Sequence, residues 1–355
     1  MNEITIEQSN SDDCQGPALT VNCLAQRFAS IPEPLRVFRG IIEPSIGCFF
    51  GPSKSGKTTL VENLMLAIAS GSDTFLGDPI KSSKKKILKI NLEEYPRSRT
   101  SRNKRQIEAI SRQQKDNNEW INNVFVIDDT FPRYLTTNEH WETLDREIGR
   151  ISPSVVMLDS LTRLTLDSIE DSSVATKIMK RLREIAHRHG IALILVHHTQ
   201  KINDRPITLA SLAGSRVIGQ EMDFMIGVNR LSNNVRYLKD VAYRYYPDDA
   251  EYVLKFQIDF NQIIQPLGEA YESDLLRAAT TQTTVNENDQ IILNYFLEVT
   301  SQDAAVVVHT PDLYDRFVNT GTMTRPTLHA ALKRLENSGV IHKPEKGTYL
   351  LRIHN

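Results

Sequence analysis

The chain has 355 residues and a formal net charge of −2 at pH 7, with 40% hydrophobic and 24% charged residues. This is the composition of an ordinary soluble globular protein, and the length predicts one large domain and a small one. No apolar run approaches the roughly 20 residues of a membrane helix, and the polar start is unlike a signal peptide. We therefore expect no membrane partner. Three widely spaced cysteines without a metal-ligand pattern favour a reducing, cytoplasmic setting.

The N-terminal part of the chain leads into the first strongly patterned element. Residues 1–17 are polar, and we predict that they are disordered. A strand-like Ala-Leu-Thr-Val from residue 18 and a short helix around residues 23–29 follow. The apolar run at residues 46–50 then predicts a buried strand, and apolar residues at helical spacing predict a helix that ends at Gly71.

Between that strand and that helix the sequence fits G-x-x-x-x-G-K-[ST] at every fixed position. Such a loop binds phosphate, because its backbone N–H groups and the helix dipole both point at the anion. We expect Lys57 to contact the β- and γ-phosphates of ATP and Thr58 to hold Mg²⁺. The predicted nucleotide-binding residues are Gly51, Pro52, Ser53, Lys54, Ser55, Gly56, Lys57, Thr58 and Thr59.

The second predicted strand, residues 84–94, ends in two carboxylates, Glu93 and Glu94. A carboxylate at the end of a parallel strand, near a γ-phosphate, suits the general base that orients an attacking water. A surface acid is the alternative. Residues 81–115 contain twelve lysines or arginines against three acids, with a helix predicted from residue 97. This basic run indicates a solvated face, or a face toward a neighbouring subunit or a phosphate backbone.

Two further strand ends complete the predicted site. Residues 154–159 form an apolar strand that ends in Asp159, about 100 residues after the loop, where a Mg²⁺-holding acid is expected. The helix at residues 173–189 precedes a strand that ends in His197 and His198, which either sense the γ-phosphate or are structural. Hairpin-like strands follow up to residue 260. The fold class is therefore α/β, a mostly parallel sheet with antiparallel additions.

The last part of the chain predicts a second domain. We divide the chain into residues 1–17, an ATPase domain at 18–267, a linker at 268–285 and a domain at 286–355. Three helices followed by a hairpin are the order of a winged helix-turn-helix. Residues 286–322 hold one base and six acids, whereas residues 323–355 hold six bases and two acids. The basic half contains the elements that would meet DNA.

The winged domain either binds DNA or makes only protein contacts. For DNA binding, we select polar residues off the apolar face of the third helix, together with one wing residue. They are Arg325, Thr327, His329, Lys333 and Lys346, with Arg334 on the same helix.

Residues 18–265 resemble the RecA-like ATPases, and within them the RepA-type plasmid helicases and DnaB-type replicative helicases. The motifs that carry the likeness are the P-loop at 51–59, Asn-Leu-Glu-Glu at 91–94, Leu-Asp-Ser at 158–160, His-His-Thr-Gln-Lys at 197–201 and Leu-Ala-Gly-Ser-Arg at 212–216. The resemblance implies that Glu93 activates water, although Tyr95 before Pro96 departs from the family pattern and leaves Glu94 open. It also implies that His198 is the strand-end sensor.

The same resemblance implies a homo-oligomer, a ring or filament with a hexamer as the expected size, in which a neighbour supplies a cation to the γ-phosphate. Arg244 matches the family's arginine finger, but Ala242 replaces the lysine of the family's Lys-x-Arg pattern. Arg230 and Lys201 are the alternatives.

Three functions fit these motifs. The first is a helicase-like, DNA-dependent ATPase that acts in replication or maintenance of a plasmid or other mobile element. The second is a RecA/RadA-like recombination ATPase, for which residues 1–17 show no polymerisation segment. The third is a nucleotide-switched DNA-binding regulator or loader with slow hydrolysis, which the missing lysine at position 242 favours.

Overall fold

The protein is described by a computed structural model that covers residues 18–29, 33–81, 85–113, 118–199, 202, 204–245, 251–300, 307–337 and 339–351. The predicted disorder of residues 1–17 and the finger alternative Lys201 lie outside these residues. The α-helices are α1 (Val21–Phe28), α2 (Lys57–Ser70), α3 (Pro96–Gln113), α4 (Asn138–Ile151), α5 (Ser172–His189), α6 (Arg216–Gln220), α7 (Glu272–Thr300), α8 (Thr310–Leu313) and α9 (Arg325–Asn337). None of the helices in the described ranges is long and apolar enough to cross a membrane.

Most strands belong to one sheet, and the others form short hairpins or a small C-terminal sheet. The strands are β1 (Leu35–Phe38), β2 (Ile41–Glu43), β3 (Ser45–Gly51), β4 (Thr74–Phe75), β5 (Asp78–Pro79), β6 (Ile87–Asn91), β7 (Val124–Val126), β8 (Val155–Asp159), β9 (Ala192–His198), β10 (Phe224–Arg230), β11 (Arg236–Tyr243), β12 (Tyr252–Ile258), β13 (Ile264–Tyr271), β14 (Val308–His309), β15 (Ile341–His342) and β16 (Thr348–Leu351).

The nine-stranded sheet has the order β13-β12-β11-β10-β3-β9-β8-β6-β7. The six strands from β10 to β7 are parallel, whereas β11, β12 and β13 continue the sheet as an antiparallel meander. This agrees with the predicted mostly parallel α/β sheet. Because parallel strands end at the same edge, the carboxyl ends of β3, β9, β8 and β6 lie side by side there.

Both faces of this sheet are covered by helices. The central strands β3, β6 and β8 are buried along their whole length, as expected for strands between two helical layers. On one face α2 packs its apolar residues against the sheet, and on the other face α4 and α5 do so. Helix α2 ends at Gly71, as predicted, with this residue in the left-handed conformation at φ 74°.

Three expectations about elements differ from the structure. Residues 18–20 are not a strand, and α1 begins at Val21. Strand β13 was not predicted, because it is a largely exposed strand that contains Pro266 and Gly268. The predicted linker, residues 268–285, consists of the end of β13 and the first half of the 29-residue helix α7.

The C-terminal region has a hydrophobic core of its own. Residues from the end of α7, from the 310–318 helical segment and from α9 form a cluster with Val308, Ile341 and Tyr349 of the small sheet. This sheet has the order β14-β16-β15, and β14 was not predicted. Helix α9 has the predicted bounds and buries the predicted face of Leu328, Ala331, Leu332 and Leu335.

Candidate functional site

The predicted phosphate loop connects the end of β3 to the start of α2. Gly56 precedes α2 with φ 103°, a conformation that side chains rarely adopt, and a Cβ here would lie 2.8 Å from Ile258 Cδ1. A Cβ on Gly51 would lie 1.9 Å from the carbonyl oxygen of Val228. The two fixed glycines of the motif are therefore required by backbone conformation and by close packing.

Lys57 is buried inside this loop. Its Nζ donates hydrogen bonds to the carbonyl oxygens of Gly51 at 2.9 Å and Pro52 at 2.8 Å. Burial lowers the pKa of the Lys57 ammonium to about 8, although Asp159 and Glu93 oppose this shift. A buried cation whose partners among the described residues are carbonyl oxygens is suited to bind a phosphate.

Thr58 and Asp159, the predicted metal residues, are in direct contact. The Thr58 hydroxyl donates a hydrogen bond of 2.6 Å to Asp159 Oδ2, although the residues are 101 positions apart. Burial raises the pKa of Asp159 to about 7, and Glu93 contributes to this increase. A hydroxyl beside a poorly solvated carboxylate fits a Mg²⁺ ion, which prefers such oxygen ligands. The described residues contain no group of three or more His, Cys, Asp or Glu that could hold a metal.

Glu93 follows β6 and lies beside Asp159. Its Oε1 accepts hydrogen bonds from the Ser160 hydroxyl and, at 3.4 Å, from His198 Nε2. The hydrogen bond from His198 contributes most to lowering the pKa of Glu93 to about 2, and the bond from Ser160 also lowers it. Partial burial opposes this shift. Glu93 is thus an oriented carboxylate, with 31% of its side chain exposed at the site.

Glu94 has different partners. Arg102 of α3 donates hydrogen bonds to Glu94 Oε1 at 2.7 Å and to both carboxylate oxygens of Glu62 at 2.7 and 2.9 Å. The Glu62 side chain is only 2% exposed, so this pairing neutralises a buried charge. The geometry favours Glu93 over Glu94 as the residue that faces the phosphates.

The two histidines at the end of β9 differ in their surroundings. His197 is buried and donates from Nε2 to the carbonyl oxygen of Ala213 at 2.8 Å, and burial lowers its pKa to about 4. His198 is partly exposed and contacts Glu93, while its carbonyl oxygen accepts from Ala213 N at 3.2 Å. Both residues connect the strand end to the loop around residue 213, but only His198 contacts the predicted catalytic carboxylate.

Arg244, the predicted finger, is held within its own chain. Its Nε lies 3.4 Å from Asp223 Oδ1, and its Nη2 donates to the Gln220 carbonyl oxygen at 3.1 Å. The side chain is 44% exposed. Arg230, an alternative finger, ends β10 and donates to Asn234 Oδ1 at 2.6 Å. Neither arginine contacts the Lys57–Asp159–Glu93 group in the described structure.

Part of the basic run at residues 81–115 is buried, whereas Arg97, Lys104, Arg105 and Arg112 are exposed. Arg99 is 4% exposed and donates to the carbonyl oxygens of Asn91 at 2.9 Å and Ile127 at 2.8 Å. Lys89 is 2% exposed and bonds Asn103 Oδ1 at 2.8 Å. Lys89, Arg99 and Arg102 are therefore bonded within the protein, so the interpretation as a solvated, subunit-facing or DNA-facing surface is wrong for these three residues.

Sequence reasoning missed the residues that position Glu93. Asn91 Oδ1 accepts hydrogen bonds from the backbone N–H groups of Glu93 at 3.1 Å and Glu94 at 3.0 Å. An asparagine two residues before an acid at a strand end is the available signal, because Asn side chains form such turns. Ser160 and Arg102 gave no comparable signal.

The predicted DNA-binding residues lie on and near α9. Arg325 lies over the Tyr314 ring at 4.9 Å, and His329 Nε2 is 2.7 Å from the Tyr314 hydroxyl. The Thr327 hydroxyl is 2.8 Å from the Thr324 hydroxyl. Lys333 and Lys346 are exposed.

Arg334 is the exception on this helix, since it pairs with Asp289 of α7 at 2.7 Å. The Arg334 guanidinium is therefore paired within the chain, with 34% of its side chain exposed.

A sequence model of the family described as AAA domain matches residues 17–204, which is 188 of the 355 residues. The chain belongs to this family. The AAA domain match contains the P-loop, Glu93, Asp159 and His198, and it ends before Arg244 and the C-terminal region. The family match and the mostly parallel sheet together support a RecA-like P-loop ATPase core.

Two solved structures align with part of this chain at low sequence identity. A KaiC-like protein from Pyrococcus horikoshii OT3 is 14% identical, with a TM-score of 0.45 over 66% of this chain and 99% of that protein. The ATPase domain of G40P is 17% identical, with a TM-score of 0.44 over 62% of this chain and 83% of that domain. No curated protein matches the sequence of this AAA domain protein at a significant level.

Proposed function

We propose that this protein is an oligomeric, DNA-dependent ATPase of the helicase-like kind, which acts in replication or maintenance of a plasmid or other mobile element. The observation that carries the catalytic part is the convergence of three strand ends on one loop. Lys57 and Thr58 follow β3, Asp159 ends β8, and Glu93 follows β6. Phosphoryl transfer to water requires a cation, oxygen ligands for a metal ion and an oriented carboxylate, and these residues supply them in that order.

In this proposal each side chain has one role. Lys57 binds the β- and γ-phosphates of ATP, and Thr58 and Asp159 would hold Mg²⁺, which neutralises charge on the phosphates. Glu93 orients the attacking water as a hydrogen-bond acceptor, since its low pKa keeps it ionised at neutral pH. His198 contacts Glu93 and is bonded through its backbone to Ala213. It would thereby report loss of the γ-phosphate to the loop that follows β9.

The oligomer and the DNA contact rest on different parts of the chain. Arg244 is partly exposed, so a neighbouring site can receive it if its contacts with Asp223 and Gln220 are released. The order of helices and strands in residues 290–351 supports a winged helix-turn-helix. Lys333 and Lys346 are exposed on its basic half, where they would contact DNA phosphates.

The test is steady-state ATP hydrolysis with and without single-stranded DNA. We expect DNA to raise the rate of the unmodified protein and Lys57→Ala and Glu93→Gln to reduce it about 100-fold or more. Glu94→Gln is the matched control, because Glu94 is paired with Arg102, and it should retain most of the rate. A Glu94→Gln loss equal to that of Glu93→Gln would contradict the assignment of the general base.

A second function is favoured by the position of Arg244. Its ion pair with Asp223 keeps it in its own chain, which is the state expected of a slow, nucleotide-switched DNA-binding regulator or loader. The two proposals differ in the same assay. If Arg244→Ala hydrolyses ATP normally and DNA does not change the rate, while ATP changes duplex binding, the motor proposal fails and the switch remains.

A further inference from the structure

Arg236, at the start of β11, packs against the phosphate loop at Gly56. Its Cδ and Nε atoms are each 3.7 Å from the position that a Cβ would occupy on Gly56. Gly56 is the residue immediately before Lys57, so the Arg236 guanidinium is beside the first turn of α2. Arg236 lies in the last part of the sheet, 179 positions after Lys57, and the motifs above do not include it.

No described residue neutralises the guanidinium of Arg236. Its Nε is inaccessible to solvent and has no hydrogen-bond partner among the described residues. No ion pair to Arg236 is formed within the described part of the chain, although most partly buried arginines here, such as Arg39 and Arg102, have carboxylate partners. A buried N–H group of a cation without an acceptor is costly, because it has lost its water.

A second cation lies beside Arg236. Strands β10 and β11 pair Arg230 directly opposite Arg236. Burial, and then the positive charge of Arg230, lower the pKa of Arg236. The Arg230 partner in the structure is the neutral amide oxygen of Asn234. Two adjacent cations without a carboxylate, at the flank of a phosphate loop, indicate a place for an anion.

We propose that Arg236 is a nucleotide-binding residue that contacts the phosphate chain bound by the loop of its own chain. This inference rests on the proposed ATP site, and it adds a guanidinium from the antiparallel part of the sheet to the cradle formed by residues 51–59. Arginine suits this role, since its planar donors can bind two phosphate oxygens together. The contact also connects nucleotide occupancy to β11, the strand that leads to Arg244.

The test is nucleotide affinity, measured by fluorescence with a mant-labelled ATP and by its displacement with inorganic triphosphate. Arg236→Ala and Arg236→Gln should each weaken the affinity for both ligands about tenfold or more, the effect of a lost charge-assisted hydrogen bond. Lys255→Ala is the matched control. Lys255 pairs with Tyr237 in the register, so it is on the opposite face of the sheet from Arg236, and its loss should leave affinity within about twofold.

Three results would overturn the inference. If both Arg236 variants bind both ligands with unchanged affinity, Arg236 does not contact the phosphate chain. If the variants bind ATP more weakly but bind triphosphate as the unmodified protein does, Arg236 contacts the nucleoside and not the phosphates. Mixing Arg236→Ala chains with Lys57→Ala chains tests the origin of the residue, because the latter supply Arg236 but lack the phosphate-binding lysine. The nucleotide affinity of the mixture should stay weak. If mixing restores the affinity, Arg236 contacts the nucleotide bound by a neighbouring chain.

The unmodified protein and Lys57→Ala separate this inference from the proposed function. If Lys57→Ala binds mant-ATP as well as the unmodified protein does, the nucleotide site itself is misplaced. If Lys57→Ala loses binding while the Arg236 variants retain it, the ATP site stands and only the assignment of Arg236 fails.

Discussion

The residues of the candidate site come from widely separated parts of the chain. Lys57 and Thr58 belong to one nine-residue pattern. Asp159 ends an apolar run, and its role as a metal-binding acid is predictable because this pattern lies upstream. Arg102 and Arg236 acquire their positions through contacts with residues 40 and 180 positions away. No spacing rule connects such partners, because the sheet order decides which side chains meet.

Asn91 provides a test of how Glu93 is positioned. Asn91→Ala removes the acceptor of the Glu93 and Glu94 backbone N–H groups. We expect kcat for ATP to fall about 10- to 100-fold, since displacement of a catalytic group by about 1 Å has effects of this size. Nucleotide affinity should change little, because Asn91 is not part of the phosphate loop. Unchanged kcat, measured beside the exposed-site control Asn337→Ala, would show that Asn91 does not position Glu93.

Arg102 is expected to matter for stability. Arg102→Ala leaves the buried carboxylate of Glu62 without its bidentate partner, which costs about 3–5 kcal/mol in the free energy of unfolding. Urea denaturation measures this loss. Arg105→Ala on the exposed side of the same helix is the control and should stay within about 0.5 kcal/mol. Adding Glu62→Gln to Arg102→Ala should recover part of the loss; if it does not, buried charge is not the cause.

Among the strands, the buried ones can be predicted from the sequence more readily than the exposed ones. Strands β3, β8 and β9 are short apolar runs between two helical layers, so their composition identifies them. Strand β13 is mostly exposed and its pattern does not alternate, so nothing in its sequence distinguished it from a loop. Helix α7 was also missed in its first half, since threonine and glutamine are weak indicators of either helix or linker.

Glu272 anchors the start of α7 to the sheet. Its carboxylate accepts hydrogen bonds from the Tyr237 hydroxyl at 2.8 Å and from Ile207 N at 3.0 Å, and it pairs with Lys239. Glu272→Ala leaves the Lys239 ammonium buried and unpaired. We expect a loss of about 3–5 kcal/mol in the free energy of unfolding, measured by urea denaturation.

Two further variants make this prediction specific. Glu269→Ala removes an exposed glutamate from β13 and should have little effect. Glu272→Ala combined with Lys239→Met should recover much of the stability, because no buried charge then remains. A Glu272→Ala protein that unfolds at the original urea midpoint would show that the pairing contributes nothing to stability.

At the scale of the whole molecule, the net charge of −2 conceals an uneven distribution. Residues 323–355 contain six basic and two acidic residues, whereas residues 286–322 contain one base and six acids. Arg334 pairs with Asp289 within the chain, whereas Lys333 and Lys346 are exposed and have no ion pair among the described residues. If this surface binds DNA, each of these lysines should neutralise one phosphate.

Lys333→Ala combined with Lys346→Ala should therefore weaken duplex binding and reduce the salt dependence of affinity. Loss of two phosphate contacts predicts a slope of log K against log salt that is smaller by about 2, since each contact contributes about 0.9. Fluorescence anisotropy with a labelled duplex at several salt concentrations measures the slope. Basal ATP hydrolysis without DNA should not change, because neither lysine belongs to the ATP site.

The matched control is Lys177→Ala with Lys180→Ala, which removes two exposed lysines from α5 and the same total charge. A slope reduced equally by both pairs would mean that only net charge matters. A slope unchanged by the Lys333 and Lys346 pair would favour a winged domain that makes protein contacts. DNA stimulation of hydrolysis would then have to arise in the ATPase core, from the loop between β9 and α6 that both histidines contact.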